Sequence, residues 1–176
     1  MDTADAGDLA ALKAQRCNVP GSMGAKNWYR LSAMLPGELD VVQVELWPER
    51  GAFRGGPVKP GTYQLTADDL SYATCGVCVR ALADKGMDSQ REYFAIGGTV
   101  EVTAVSSVEG APFVATIRDV SFAEVGADHS EVKGGCALDL AAAKISGSVQ
   151  LMGGAGGGAG GGGNGGSGGC VTTVGD

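Results

Sequence analysis

The stretch "GTVEVTAVSSVEGAPFVATIRDVSF", Gly98 to Phe122, decides how the rest of the chain is read. Its first half alternates Val100, Val102 and Ala104 against Thr99, Glu101 and Thr103. Its second half alternates Val114, Thr116, Arg118, Val120 and Phe122 against Phe113, Ala115 and Ile117. A period of two is the signature of a strand with one buried face. "SSVEGA" separates the halves and has turn composition, so the pair is expected to form a long hairpin.

The same period recurs upstream. In "ELDVVQVELW", Val42, Val44 and Leu46 fall on one face and Val41, Gln43, Glu45 and Trp47 on the other. "NWYRLSAML", "GTYQLT", "EYFAI" and the segment after Cys136 are shorter candidates, and "LDLAAAK" near Leu138 is read as strand despite its helical propensity. "ERGAFRGGPVKPG", "DKGMDSQ", "EGAP" and "GADHSEVKGG" punctuate the strands as turns. Seven or eight strands without a long helix predict an all-β domain. An antiparallel β-sandwich is the first expectation and a closed barrel the alternative.

At 176 residues there is room for one domain, large enough to hold a core without metals. Residues 1–16 read as a tail, since "DLAALKAQ" makes at most two helical turns. Residues 17–152 read as the β domain. Residues 153–176 read as a flexible tail: 13 of the 17 residues from Gly153 to Gly169 are glycine. That stretch has no Lys-Ser/Thr and no strand–helix frame, so it does not read as a phosphate loop.

The net charge of −7 and scattered basic residues argue against nucleic acid or an anionic membrane surface as partner. No apolar run approaches the roughly 20 residues of a membrane-spanning helix. The N-terminus carries acids where a signal peptide carries Lys or Arg, and it lacks an apolar core segment. Either Met1 begins a trimmed chain or the product is cytosolic. Five cysteines in a β-like chain point the other way, to an oxidising compartment, and export is the expectation.

Cys17, Cys75, Cys78, Cys136 and Cys170 carry the most distinctive chemistry. "TCGVC" has three readings. A thioredoxin-like centre, with Cys75 as nucleophile and Cys78 as resolver, requires a helix after the motif, and "VRALADKG" with Gly86 as C-cap offers a short one. The preceding "LTADDLSYAT" makes a poor buried strand for such a fold. A zinc site would need Cys17, Cys136 or His129 as further ligands from scattered positions.

The third reading is a disulfide staple. Residues three apart in an extended strand are about 10 Å apart, so the bond needs a bend, which Gly76 permits, with a strand running from about Cys78 through Leu82. We expect Cys75–Cys78 together with Cys17–Cys136, leaving Cys170 free. The loop-entropy model assigns roughly 2 kcal/mol to the short loop and roughly 5 kcal/mol to the long one. Four cysteines allow three pairings.

Other candidates have milder readings beside sharper ones. His129 in "GADHSE" is a solvated loop histidine, and no G-x-S-x-G elbow accompanies it. Glu124, Asp128, His129 and Glu131 could bind calcium but lack EF-hand spacing. Asp68 and Asp69 read as turn or capping residues rather than an acid–base pair. Trp28, Trp47, Tyr29 and Tyr93 read as core or face aromatics, with an exposed Trp47 beside Pro48 as a possible sugar platform. No cofactor is implied.

"CNVP" at Cys17, "VELW" at Val44, "KPGTYQLT" at Lys59, "YATCGVCVR" at Tyr72, "YFAIGGTVEVT" at Tyr93 and "GGC" at Gly134 occur in this order. The series resembles uncharacterised secreted proteins and lipoproteins of myxobacteria and related bacteria. That group has a cysteine near the domain start, a CGxC in the middle and a final cysteine before the last strand. The resemblance covers about residues 17–150. It implies a cell-envelope location and disulfides, and no activity. The chain departs from the group in showing no lipoprotein signal and in carrying the Gly-rich tail with Cys170.

The function expected is a non-enzymatic, disulfide-stabilised, secreted or cell-envelope β domain with a structural or binding role. Its partner would be a protein or glycan at the cell surface. The alternatives are thiol–disulfide exchange through Cys75 and Cys78, and calcium- or sugar-dependent adhesion through the loops near Asp128.

Overall fold

A computed structural model describes residues 4–19, 26–36 and 40–152. The described residues form ten strands: β1 Ala4–Ala10, β2 Lys13–Val19, β3 Lys26–Met34, β4 Val41–Leu46, β5 Gly61–Gln64, β6 Val77–Ala83, β7 Arg91–Ala104, β8 Pro112–Val125, β9 Ala137–Ser148 and β10 Gln150–Met152. Two short 3₁₀ turns, Gly51–Phe53 and Ala67–Leu70, are the helical elements among the described residues. The all-β expectation holds, and the Gly98–Phe122 hairpin is present as β7 and β8.

All ten strands belong to one hydrogen-bonded sheet, ordered β1-β9-β8-β7-β6-β4-β3-β2-β10, with β5 on β7. The sandwich expectation of two facing sheets is corrected by this connectivity, and the barrel alternative lies nearer. From β2 to β9 the sheet is an antiparallel meander. Its ends are not antiparallel: β1 runs parallel to β9, and β10 parallel to β2.

A single cause explains that mixture. β1 continues into β2 after two residues, and β9 into β10 after one. Counting each of these as one stave and setting β5 aside leaves seven staves. In an up-and-down meander with an odd number of staves, the first and last point the same way. When the sheet curls until they meet, they pair in parallel. Ala11 N–H donates to the Ser146 carbonyl (2.9 Å) and Leu12 N–H to the Ser32 carbonyl (2.8 Å), so the junction between β1 and β2 is bonded on both sides.

Residues 4–16, expected to be a tail, therefore form β1 and part of β2. Their composition favours helix weakly, and the edges of β9 and β3 override it. The Gly-rich stretch and Cys170 lie outside the described residues.

The concave face holds the core. Leu31, Val42, Val44, Leu46, Val79, Val100, Ile117 and Ile145 are fully buried there, with Phe113 and Phe122 filling the space between staves. The alternation in β4 falls as expected, with Val42, Val44 and Leu46 inside. The alternation in β8 does not continue unbroken. Val120 and Phe122 share the core with Phe113, Ala115 and Ile117 rather than facing away from them.

The face switches at a bulge, where the β7–β8 register shifts between Ala95, Gly97 and Thr99. Asp119 takes a left-handed φ of 48° and Gly98 a φ of 124°. A Cβ on Gly98 would stand 2.5 Å from Val120 Cγ2. The extra residue in each strand turns the following side chains to the opposite face, so one alternation serves the core on either side of it.

Gly98→Ala should lower stability by about 2–4 kcal/mol, from backbone strain and the Val120 clash together. Gly97→Ala should change it by less than about 1 kcal/mol, because a Cβ at Gly97 meets nothing within 4 Å. Urea denaturation of the two variants checks the contrast.

Candidate functional site

The convex face of β2, β3, β4 and β6 carries a second, smaller core. Trp28 and Trp47 stack at 4.4 Å with planes 5° apart, and Cys17, Tyr72, Cys75, Cys78 and Phe94 pack with them. Cross-strand pairing builds this cluster. Cys17 lies opposite Trp28, and Glu45 opposite both Arg30 and Cys78. Trp47 is buried against Trp28, which corrects the expectation of an exposed aromatic platform.

Cys75 and Cys78 form a disulfide with Cα atoms 5.4 Å apart. They are 1% and 2% exposed. The bend between them is made as the sequence suggested, and β6 begins at Val77. No helix follows the motif; Val77–Ala83 is strand throughout. Gly76 is required by close approach: its N–H reaches Asp69, its carbonyl accepts Trp47 N–H (2.7 Å), and a Cβ would collide with the Arg50 carbonyl.

Asp69 organises this corner. Its Oδ1 is buried and accepts the backbone N–H groups of Gly76 (2.8 Å), Val77 (3.0 Å) and Ala52 (3.3 Å). A charged acceptor with converging N–H donors is a strong local tether. Asp68 points outward and pairs with Arg54 at the surface. The expectation of a turn role suits both residues.

Cys136 does not complete a disulfide with Cys17. Cys136 is a free, exposed thiol. Its N–H donates to Glu124 Oε2 (2.9 Å), while Arg91 Nη1 lies 3.6 Å from the sulfur and 3.2 Å from Glu124. Cys17 is itself disulfide-bonded and buried, opposite Met152 of β10. The expected Cys17–Cys136 pairing fails because Cys17 belongs to the tryptophan cluster and Cys136 to the Arg91–Glu124 corner. Cys170 lies outside the described residues.

The residues near His129 are not gathered around a metal. No group of three or more His, Cys, Asp or Glu side chains is placed to hold an ion among the described residues. Glu124 serves Arg91 and Cys136, and Asp128 accepts from Ser130. The Ser130 hydrogen bonds hold the Asp128 carboxyl below the usual range.

His129 is not simply solvated. Its ring stacks on Tyr72 at 4.3 Å, and Nδ1 lies 4.0 Å from Glu92 Oε1. Glu92 in turn pairs with Arg80 (3.0 Å), whose guanidinium lies 5.8 Å from the centre of the Tyr72 ring. Burial works against the charge on Arg80, but Tyr72, Glu45 and Glu92 outweigh it and raise its pKa.

Sequence reasoning passed over the buried carboxylate of Glu45, which is 1% exposed. Arg30 Nε and Nη2 each lie 2.9 Å from Oε1, Gln43 donates to the same oxygen, and Trp47 Nε1 donates to Oε2 (3.1 Å). The available signal was "QVELW" itself: a polar face that ends in a tryptophan is half covered.

A cavity of about 430 Å³ opens beside this wall. Asn27 and Tyr29 of β3 line one side. Pro48, Glu49 and the Gly55–Val58 run line the other. Burial raises the Tyr29 pKa, against the nearby Arg16 and a hydrogen bond from Asn27. The turn-rich "WPERGAFRGGPVKPG" was the only trace of this cavity in the sequence.

Comparison with family models, curated proteins and solved structures finds no match. The class defined by fold and site is thus a curled all-β domain with a sealed disulfide and an open cavity in its wall. No helix among the described residues is long and apolar enough to cross a membrane.

Asp69→Ala should cost about 3 kcal/mol, because buried N–H groups lose a charged acceptor, and should speed opening of Cys75–Cys78 by dithiothreitol. Asp68→Ala, which removes the surface pair, should cost less than about 1 kcal/mol. Thermal melts and thiol-release kinetics read both. Glu45→Ala should cost about 3–5 kcal/mol by stranding Arg30, and Arg30→Leu added to Glu45→Leu should recover part of that loss in urea titrations.

Proposed function

We propose that this chain is a non-enzymatic binding module of an oxidising compartment, exported to the periplasm or cell surface and braced by disulfides. The observation that carries the proposal is the burial of Cys75–Cys78 within the tryptophan cluster, with Asp69 holding the loop that contains it. Reactive dithiols are partly exposed and lie beside groups that favour thiolate, commonly at a helix N-terminus. This pair has neither feature and opens a strand. A sulfur bridge in such a position suits mechanical bracing, which persists where glutathione does not reduce it. The curled sheet, closed between its first and last staves, reads as a barrel whose binding surface lies in its wall and loops rather than in its filled interior.

Alkylation under native conditions, followed by non-reducing digestion and mass spectrometry, tests this reading. Cys75 and Cys78 should remain unlabelled and linked, Cys17 unlabelled, and Cys136 labelled. The Cys75–Cys78 couple should have a reduction potential below about −300 mV, and the protein should not reduce insulin. Rapid equilibration of the pair with glutathione, or turnover of a disulfide substrate, would replace bracing with thiol–disulfide exchange.

A further inference from the structure

We propose that the disulfide on Cys17 runs to Cys170, so that the end of the chain is fastened to the seam where β10 meets β2. The inference rests on the reading of the chain as a disulfide-braced domain of an oxidising compartment and adds the bond that secures its seam.

Elimination identifies the partner. The chain has five cysteines. Cys75 and Cys78 are bonded to each other, and Cys136 is a free thiol. Cys17 is disulfide-bonded, which leaves Cys170 as the one partner the chain can offer. A second copy or a small thiol is a poor substitute. Cys17 is 1% exposed and lies between Trp28 on β3 and Met152 on β10. An outside sulfur would have to enter that packing in a bimolecular encounter, whereas one on the same chain acts at a roughly millimolar effective concentration.

The seam supports the same bond. Met152, the last residue of β10, lies directly opposite Cys17. The 17 residues from Gly153 to Gly169 separate it from Cys170, and 13 of them are glycine. The bond therefore asks the chain only to return to the point it left. Glycine admits the left-handed conformations that a return needs, and closing a loop of that length costs little once β10 is in place. In the unfolded chain the same bond spans about 150 residues, where the loop-entropy model gives it a large effect.

β10 has much to gain from such a fastening. It has three residues, ends the strand order and pairs with β2 alone, through Gln150–Gln15, Leu151–Arg16 and Met152–Cys17. A terminal strand that short frays at little cost. Tying Cys170 to Cys17 holds Met152 against its partner and against the outer cluster on which it packs. Forming the bond takes two electrons and two protons from the two thiols. A disulfide of the compartment, such as oxidised glutathione or a disulfide-carrying oxidase, accepts them and leaves as two thiols. The seam is thus fully secured only where such an oxidant is present.

Trypsin acting on the alkylated, unreduced chain separates the sulfurs. Cys17 falls in residues 17–26, Cys75 and Cys78 in 55–80, Cys136 in 134–144 and Cys170 in 145–176. Mass spectrometry should find 17–26 linked to 145–176 in a monomeric protein. Cys17 linked to another copy or to glutathione, or either cysteine recovered as an alkylated thiol, would overturn the proposal. Cys170→Ser should lower the melting temperature of the oxidised protein by about 5–15 °C and speed amide exchange at Leu151 and Met152 at least roughly tenfold, while the 55–80 peptide keeps its internal bond. A melting temperature and exchange rates equal to those of the natural chain would overturn the fastening. The linkage map uses the natural chain and decides the pairing even if Cys170→Ser fails to fold. Failure here appears in the 17–26 and 145–176 peptides, whereas failure of the bracing reading appears in the reactivity of Cys75 and Cys78.

Discussion

A sheet with two open edges leaves rows of backbone N–H and C=O groups without partners, and this chain resolves that constraint by pairing its beginning with its end. The rest of the molecule follows from that closure. The odd number of staves makes the seam parallel. The seam requires strands from residues 4–10 and 150–152, which carry little strand signal of their own. It also sets Cys17 between Trp28 on one neighbour and Met152 on the other, which brings a cysteine near the N-terminus into the outer cluster.

The outer cluster and the cavity are not independent. Asp69 binds the backbone of Gly76 and Val77 beside the disulfide, and that of Ala52 in the loop that bounds the cavity. Gly76 also accepts from Trp47, the residue from which that loop departs. One buried carboxylate therefore locks the sulfur-bearing turn and the cavity loop in a fixed relation. The Glu45 network does the same for the tryptophan pair, since Arg30, Gln43 and Trp47 all reach the same carboxylate. Burying an acid outside the main core is costly unless it is paired or hydrogen-bonded: Glu45 is held by Arg30, Gln43 and Trp47, and Asp69 by three backbone N–H groups.

Much of the strand content was legible because it depends on local alternation. Val42, Val44 and Leu46, and likewise Val100 and Val102, needed only a half-buried sheet to fall where they do. Even "LDLAAAK" is strand, as it was read against its helical propensity. The alternation in β8 was misread beyond Ile117. A bulge is a property of two strands in register, and Asp119 has nothing beside it in the sequence to mark the extra residue. The cysteine pairing was half legible. Cys75 and Cys78 are close enough in sequence for a bend to join them, while Cys17 and Cys136 were matched on loop entropy and on tying the first strand to the last, neither of which says where each side chain lies in space.

By itself, then, the sequence determined that the chain is built of strands, which faces of the central ones are apolar, and that a disulfide can form across Gly76, because each of these depends on residues within a few positions of one another. Tertiary structure alone decided that the strands form one curled sheet rather than two facing ones, that the supposed tail closes it, that Glu45 and Asp69 are shut away from water, and that Asn27, Tyr29 and Glu49 share a cavity. Those outcomes depend on pairings between residues far apart in the chain, and a period of two is the same whichever strand lies alongside.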